Sequence, residues 1–165
     1  MANRRKFSLA TVLVAALAPV LLATGCSSDD GTTTPQAQSL GVADQWVKAA
    51  DNGMTAAFAV LTNDSDTDIR VVSASSPVAG KTELHEIVPD AGAAVMREKK
   101  DGYLIPANGS LELKPGADHI MLMDLKQPIK AGDSVEIELR MADGSTQKVD
   151  ALARDFSGNQ EDYHQ

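Results

Sequence analysis

The sequence predicts an all-β fold, a Greek-key antiparallel β-sandwich, on three observations. Turn-forming clusters recur at short intervals, the segments between them are short and several alternate apolar with polar residues, and no apolar stripe of helical period runs long enough for an amphipathic helix. Such a chain buries its core between sheet faces, because strand side chains alternate sides.

The first residues precede the fold. Arg4-Arg5-Lys6 followed by the apolar run Phe7 to Leu22 has the layout of a secretory signal over residues 1–25. The run contains Pro19 and falls short of the roughly 20 apolar residues of a comfortable membrane span. Leu22-Ala23-Thr24-Gly25-Cys26 then resembles a bacterial lipobox, which implies lipidation of Cys26 and anchoring on the extracytoplasmic side of a cell membrane. Ala23 stands where leucine is usual, and soluble secretion with a free cysteine is the alternative. Residues 26–43, rich in Ser, Thr, Asp, Gly and Gln, read as a flexible tether, since such a composition buries too little apolar surface to order itself.

Residues 44–155 form one domain, close to the commonest domain size of about 100–150 residues. Strands are expected at Ala56–Thr62, Ile69–Ser73, Thr82–Val88, Ala94–Glu98, Tyr103–Ile105, Ser110–Leu113, His119–Leu125, Val135–Met141 and Thr146–Val149. Between them lie turn clusters such as Asn63-Asp64-Ser65-Asp66, Pro89-Asp90-Ala91-Gly92, Asp101-Gly102, Asn108-Gly109 and Lys114-Pro115-Gly116. Alternation is clearest where Val135, Ile137, Leu139 and Met141 point one way and Glu136, Glu138 and Arg140 the other. Asp143-Gly144 then turns the chain back as a hairpin. Trp46 reads as a packing anchor at the domain entrance, and residues 156–165 as a polar C-terminal tail.

Charge and cysteine content narrow the function. The whole chain carries a formal net charge of −8. Removing residues 1–25 takes away three basic residues and leaves 12 Lys+Arg against 23 Asp+Glu, or −11. Nucleic acid is therefore excluded as a natural partner. With Cys26 as the single cysteine no intramolecular disulfide exists, and a blue-copper electron-transfer site, which needs a thiolate ligand, is disfavoured.

What remains is a group of soft donors. His119 and Met121 project from one side of a single expected strand, with Met123 continuing that side, and His85 and Met96 lie on two segments joined by the Pro89–Gly92 turn. Imidazole and thioether suit Cu(I), whereas hard oxygen donors suit calcium or magnesium, and structural zinc sites generally use cysteine with histidine. Taken alone, the strand has a blander reading: Met121 and Met123 as core residues of a strand apolar on both faces, and His119 as a satisfied structural histidine. Hairpins of a sandwich that brought His85 and Met96 to the same end would instead assemble four donors. Met123 and His164 are auxiliary candidates. Met54 and Met141 read as packing residues.

The spacing His85, ten residues, Met96, 22 residues, His119-Ile120-Met121 resembles the pattern of the periplasmic copper chaperone family often called PCuAC. The second interval is one residue longer than in that pattern, an insertion placed in the Lys99–Tyr103 turn. The segments Ile105-Pro106-Ala107-Asn108-Gly109-Ser110-Leu111-Glu112-Leu113-Lys114-Pro115-Gly116 and His119 to Leu125 are also similar to the family's, and the likeness runs from about Gln45 to Arg154. It implies a cupredoxin-like sandwich with His85, Met96, His119 and Met121 as Cu(I) ligands near the surface. It also implies transfer of copper to an acceptor protein, either a cytochrome c oxidase subunit or another copper chaperone. Ligand exchange of this kind needs no enzyme. The alternatives are a copper buffer or resistance lipoprotein, and a sandwich interaction module that binds no metal.

Overall fold

The structure, a computed structural model, describes residues 34–90 and 93–157. The expected secretory signal, Cys26 and His164 lie outside the described residues. The elements are a single helical turn α1 (Gln36–Ser39) and strands β1 (Leu40–Lys48), β2 (Thr55–Asn63), β3 (Ile69–Ser75), β4 (Ala79–Asp90), β5 (Ala93–Glu98), β6 (Tyr103–Ile105), β7 (Ser110–Leu113), β8 (His119–Leu125), β9 (Ser134–Met141) and β10 (Thr146–Arg154).

The strands pair in the order β5-β4-β8-β2-β1-β10-β9-β3-β6, with β7 pairing the far half of β2. The path curls back on itself, so that β3 lies against β4 and β6 against β2 and β7. The space thus enclosed holds the main core, including Val47, Leu61, Val71, Leu84, Tyr103, Ile120, Leu122 and Ile137. The all-β architecture is that expected, and Val135, Ile137, Leu139 and Met141 are all buried. One pairing departs from a purely antiparallel sandwich: β1 and β10 run parallel. These are the first and last strands of the domain, so no tight turn joins them and no antiparallel hairpin is imposed.

β1 is the strand that alternation does not reveal. Its first half points Leu40 and Val42 toward the main core, opposite Asn63 and Leu61. The register then shifts between Ala43 and Trp46, with Asp44 at φ 52°. After this bulge the inward position moves from even to odd numbers: Val47 enters the main core, and Trp46 turns to the other face. A bulge adds a residue to one strand only, which breaks the period-two pattern.

The tether is also shorter than composition indicates. Residues 36–43 belong to α1 and β1, not to a flexible segment, because the chain there is tied to the β9–β10 hairpin. The N–H of Gln36 donates to the Asp143 carboxylate at 2.7 Å, and the N–H of Ala37 to the Ser145 hydroxyl at 3.1 Å. At the other end, Phe156 leaves the polar tail and packs edge-on to Trp46 with ring centroids 5.2 Å apart.

Gly102 has φ +71°, and a Cβ there would collide with the carbonyl oxygen of Val71. Gly102→Ala should lower the unfolding free energy by about 2 kcal/mol or more, read by urea denaturation. The Asp143 carboxyl is held below its ordinary pKa by the Ser145 hydroxyl first and the Gln36 N–H next. A depressed carboxylate stabilises fully above its ordinary pKa and loses that contribution as pH falls through the folded value. The Gln36 amide resonance should therefore titrate below about pH 4, and Asp143→Asn should abolish that step.

Candidate metal centre

The centre is built from three adjacent strands. β4 and β8 pair antiparallel in a register that sets His85 opposite His119, Glu83 opposite Met121 and Lys81 opposite Met123. β5 pairs with β4 so that His85 faces Glu98 and Ile87 faces Met96. Period-two alternation then carries Met96, His85, Glu83, His119 and Met121 on one face, and it is the face turned away from the main core, which takes Leu84, Ile120 and Leu122.

That outer face is not bare. Ala56, Phe58 and Met121 form a second buried cluster, flanked by Trp46, Met54 and Met123. Trp46 packs on Phe58 with ring centroids 4.5 Å apart, and Phe58 lies 6.2 Å from the His119 ring. The two imidazoles meet edge to face with centroids 5.7 Å apart.

Hydrogen bonds set which nitrogen of each ring is available. His119 Nδ1 lies 2.8 Å from the carbonyl oxygen of Ala117, which only accepts, so Nδ1 carries the proton. In the neutral ring Nε2 then presents a lone pair, and it sits 3.1 Å from the thioether sulfur of Met96. Two electron-pair donors brought this close share the space that a soft cation would occupy. His85 is arranged the other way round. Its Nε2 lies 2.7 Å from a carboxylate oxygen of Glu83, and its Nδ1 is buried with no hydrogen-bond partner among the described residues. Glu83 pairs also with Lys81. Hydrogen bonds from Lys81 first, then from His85, hold the Glu83 carboxyl below its ordinary pKa, so it is ionised at neutral pH.

Beneath the two histidines, on the main-core side, the fully buried Tyr103 ties their backbones together. Its hydroxyl accepts the N–H of His85 at 3.1 Å and donates to the carbonyl oxygen of His119. Burial pushes the phenol well above its ordinary pKa, so it stays protonated and keeps its donor.

The structure brings His85, Met96 and His119 together on one face. Met121 is on the same face of β8 but fully buried in the aromatic cluster, opposite Glu83. Met123 is farther along that face, opposite Lys81, and flanks the cluster with Met54. Access differs from the exposed site expected: His119 and Met121 are 0% exposed and His85 7%, while Met96 is half-buried. The cause is position in the sheet. β8 is flanked by β4 and β2 and roofed by the aromatics, whereas β5, which carries Met96, is an edge strand. Among the described residues no group of three or more His, Cys, Asp or Glu side chains is placed to share one ion. Glu83 and Tyr103 were missed from the sequence. Glu83 has a signal, since it lies two residues before His85 and so on the same strand face. Tyr103 has none, because its role is made by a distant strand.

Comparison with known proteins places the fold and the family. The LpqE-like family model matches residues 40–153. A relative from Leifsonia xyli subsp. xyli, named as a lipoprotein, is 44% identical over 152 residues, covering 89% of this chain and 92% of its own. The solution structure of CuI-DR1885 from Deinococcus radiodurans is 37% identical and superposes with a TM-score of 0.56, covering 75% of this chain and 85% of that one. The apo PCuAC domain from PmoF1, 20% identical with a TM-score of 0.60 over 72% of this chain and 95% of that one, shares the fold.

Tyr103→Phe leaves the ring in place but removes the bridge between the two histidine backbones. It should lower the unfolding free energy by about 1–3 kcal/mol, the cost of buried groups left unpaired, and shift the His85 amide resonance more than those of β9.

Proposed function

Because the chain belongs to the LpqE-like lipoprotein family, we propose that it is a Cu(I) carrier held at the outer side of a bacterial membrane by lipidated Cys26. In this reading His85, Met96, His119 and Met121 hold the ion and hand it to an acceptor protein such as the copper centre of cytochrome c oxidase. The observation that carries it is the Nε2 of His119 facing the Met96 sulfur at 3.1 Å, with the Nδ1 of His85 on the adjacent strand buried and without a partner among the described residues. A buried acceptor without a partner is costly, and a metal ion is one way to satisfy it. The Cu(I) form of the Deinococcus relative agrees with a soft donor set.

Burial shapes how transfer would run. Cu(I) in this centre is cargo. The two imidazoles and Met121 are enclosed, so an incoming acceptor reaches the ion first where Met96 borders it on the edge strand β5. Displacing a neutral thioether leaves no unpaired charge behind, and each donor lost is replaced by one from the acceptor. The acidic exterior of the chain favours encounter with an acceptor whose docking face is basic. Met123 borders the same cluster and is a candidate auxiliary donor.

Titration of the chain with Cu(I), in a Cys26→Ser background so that the thiol does not compete, should load one ion. X-ray absorption should find both nitrogen and sulfur neighbours. His119→Ala and Met96→Ala should each weaken Cu(I) by at least about tenfold, or about 1.4 kcal/mol. Cu(I) affinity unchanged by both substitutions would reject the reading.

A further inference from the structure

We infer that Glu83 is a positioning residue of this centre: by accepting the Nε2–H of His85 it aims Nδ1 of that ring at the ion, so that the two histidines bind metal through different nitrogens. The inference rests on the Cu(I) reading of the site and goes beyond it by assigning the ligating atoms and the residue that selects one of them.

An ionised carboxylate has no proton to give, so the 2.7 Å contact between Glu83 and His85 places the ring proton on Nε2. A neutral imidazole has one N–H, and Nδ1 is therefore left as a lone pair, buried and without a hydrogen-bond partner among the described residues. Metal-ligating histidines commonly give their other N–H to a carboxylate or a carbonyl, which fixes the tautomer and raises the basicity of the ligating nitrogen. Both arrangements are present here. His119 gives Nδ1–H to the carbonyl of Ala117 and turns Nε2 toward Met96, while His85 gives Nε2–H to Glu83 and keeps Nδ1 without a partner among the described residues.

Glu83 is suited to hold that ring still. It stands two residues before His85 on the same face of β4 and opposite Met121 in register, with its side chain 13% exposed. Lys81, one strand period further on and 60% exposed, anchors the carboxylate from the solvent side. The result is a chain of contacts from Lys81 through Glu83 to His85 along one edge of the centre. Glu83 is not placed to share an ion with the two histidines, since no group of three such side chains is formed among the described residues. It therefore acts through His85.

The test is long-range 15N–1H correlation on the full chain, labelled at histidine, in the Cys26→Ser background at neutral pH, with and without one equivalent of Cu(I) under exclusion of oxygen. Without metal, His85 should carry its proton on Nε2. Cu(I) should then move the Nδ1 resonance of His85 and the Nε2 resonance of His119. Glu83→Ala should weaken Cu(I) about tenfold or more, the usual effect of removing such an outer partner, and should let the Nδ1–H form of His85 appear. Cu(I) shifting Nε2 of His85, or wild-type affinity in a folded Glu83→Ala chain, overturns the inference and leaves the copper reading standing. No shift at any histidine overturns both. If Glu83→Ala does not fold, the nitrogen that moves in the wild-type spectra decides the question alone.

Discussion

The antiparallel register of β4 against β8 is the constraint on which the centre depends. It sets His85 opposite His119 and Glu83 opposite Met121. A slip of one residue would send one strand's donors into the main core and its Leu or Ile neighbours to the outer face. Two devices oppose a slip. Leu84, Ile120 and Leu122 are buried on the inner side, so misregister would expose apolar surface, and Tyr103 grips the His85 and His119 backbones at one point. The tyrosine is supplied by β6, which pairs with β3, remote from β4 and β8 in the pairing order. The position of the two imidazoles is thereby coupled to the closure of the whole fold.

Both faces of the central strands are occupied, and for different ends. β2 sends Ala57, Ala59 and Leu61 inward and Ala56 and Phe58 outward, and β8 divides its residues in the same way. The inner face supplies the bulk of the apolar burial that stabilises the domain. The outer face carries a small cluster of Phe58, Trp46 and Met121, with Phe58 beside the buried His119. Dry surroundings strengthen the hydrogen bonds that orient the two rings and raise the cost of leaving a ring nitrogen unsatisfied. The same enclosure leaves the half-buried Met96, on the edge strand, as the more accessible side of the centre.

Much of this was legible in the residues. Turn clusters and alternation located nine of the ten strands, and the alternation of β9 matched its buried set of Val135, Ile137, Leu139 and Met141. β1 escaped because the bulge at Asp44 reverses its inward face halfway along. The order of residues 36–39 escaped because it comes from Asp143 and Ser145, more than a hundred positions away in the chain. Composition describes what a segment offers, not what a distant hairpin holds in place.

By itself the sequence determined the donor types, their alternation on strands, the all-β class and the acidic exterior, because these depend on side-chain chemistry and on neighbours two or three residues apart. Only the tertiary structure decided that His85 and His119 are cross-strand partners, that Met96 reaches His119, that Glu83 lies against Nε2 of His85 and the Ala117 carbonyl against Nδ1 of His119, and that the site is enclosed. Those are outcomes of strand register and sheet curvature. Register and curvature are set by the packing of the whole core, so no short stretch of the chain encodes them.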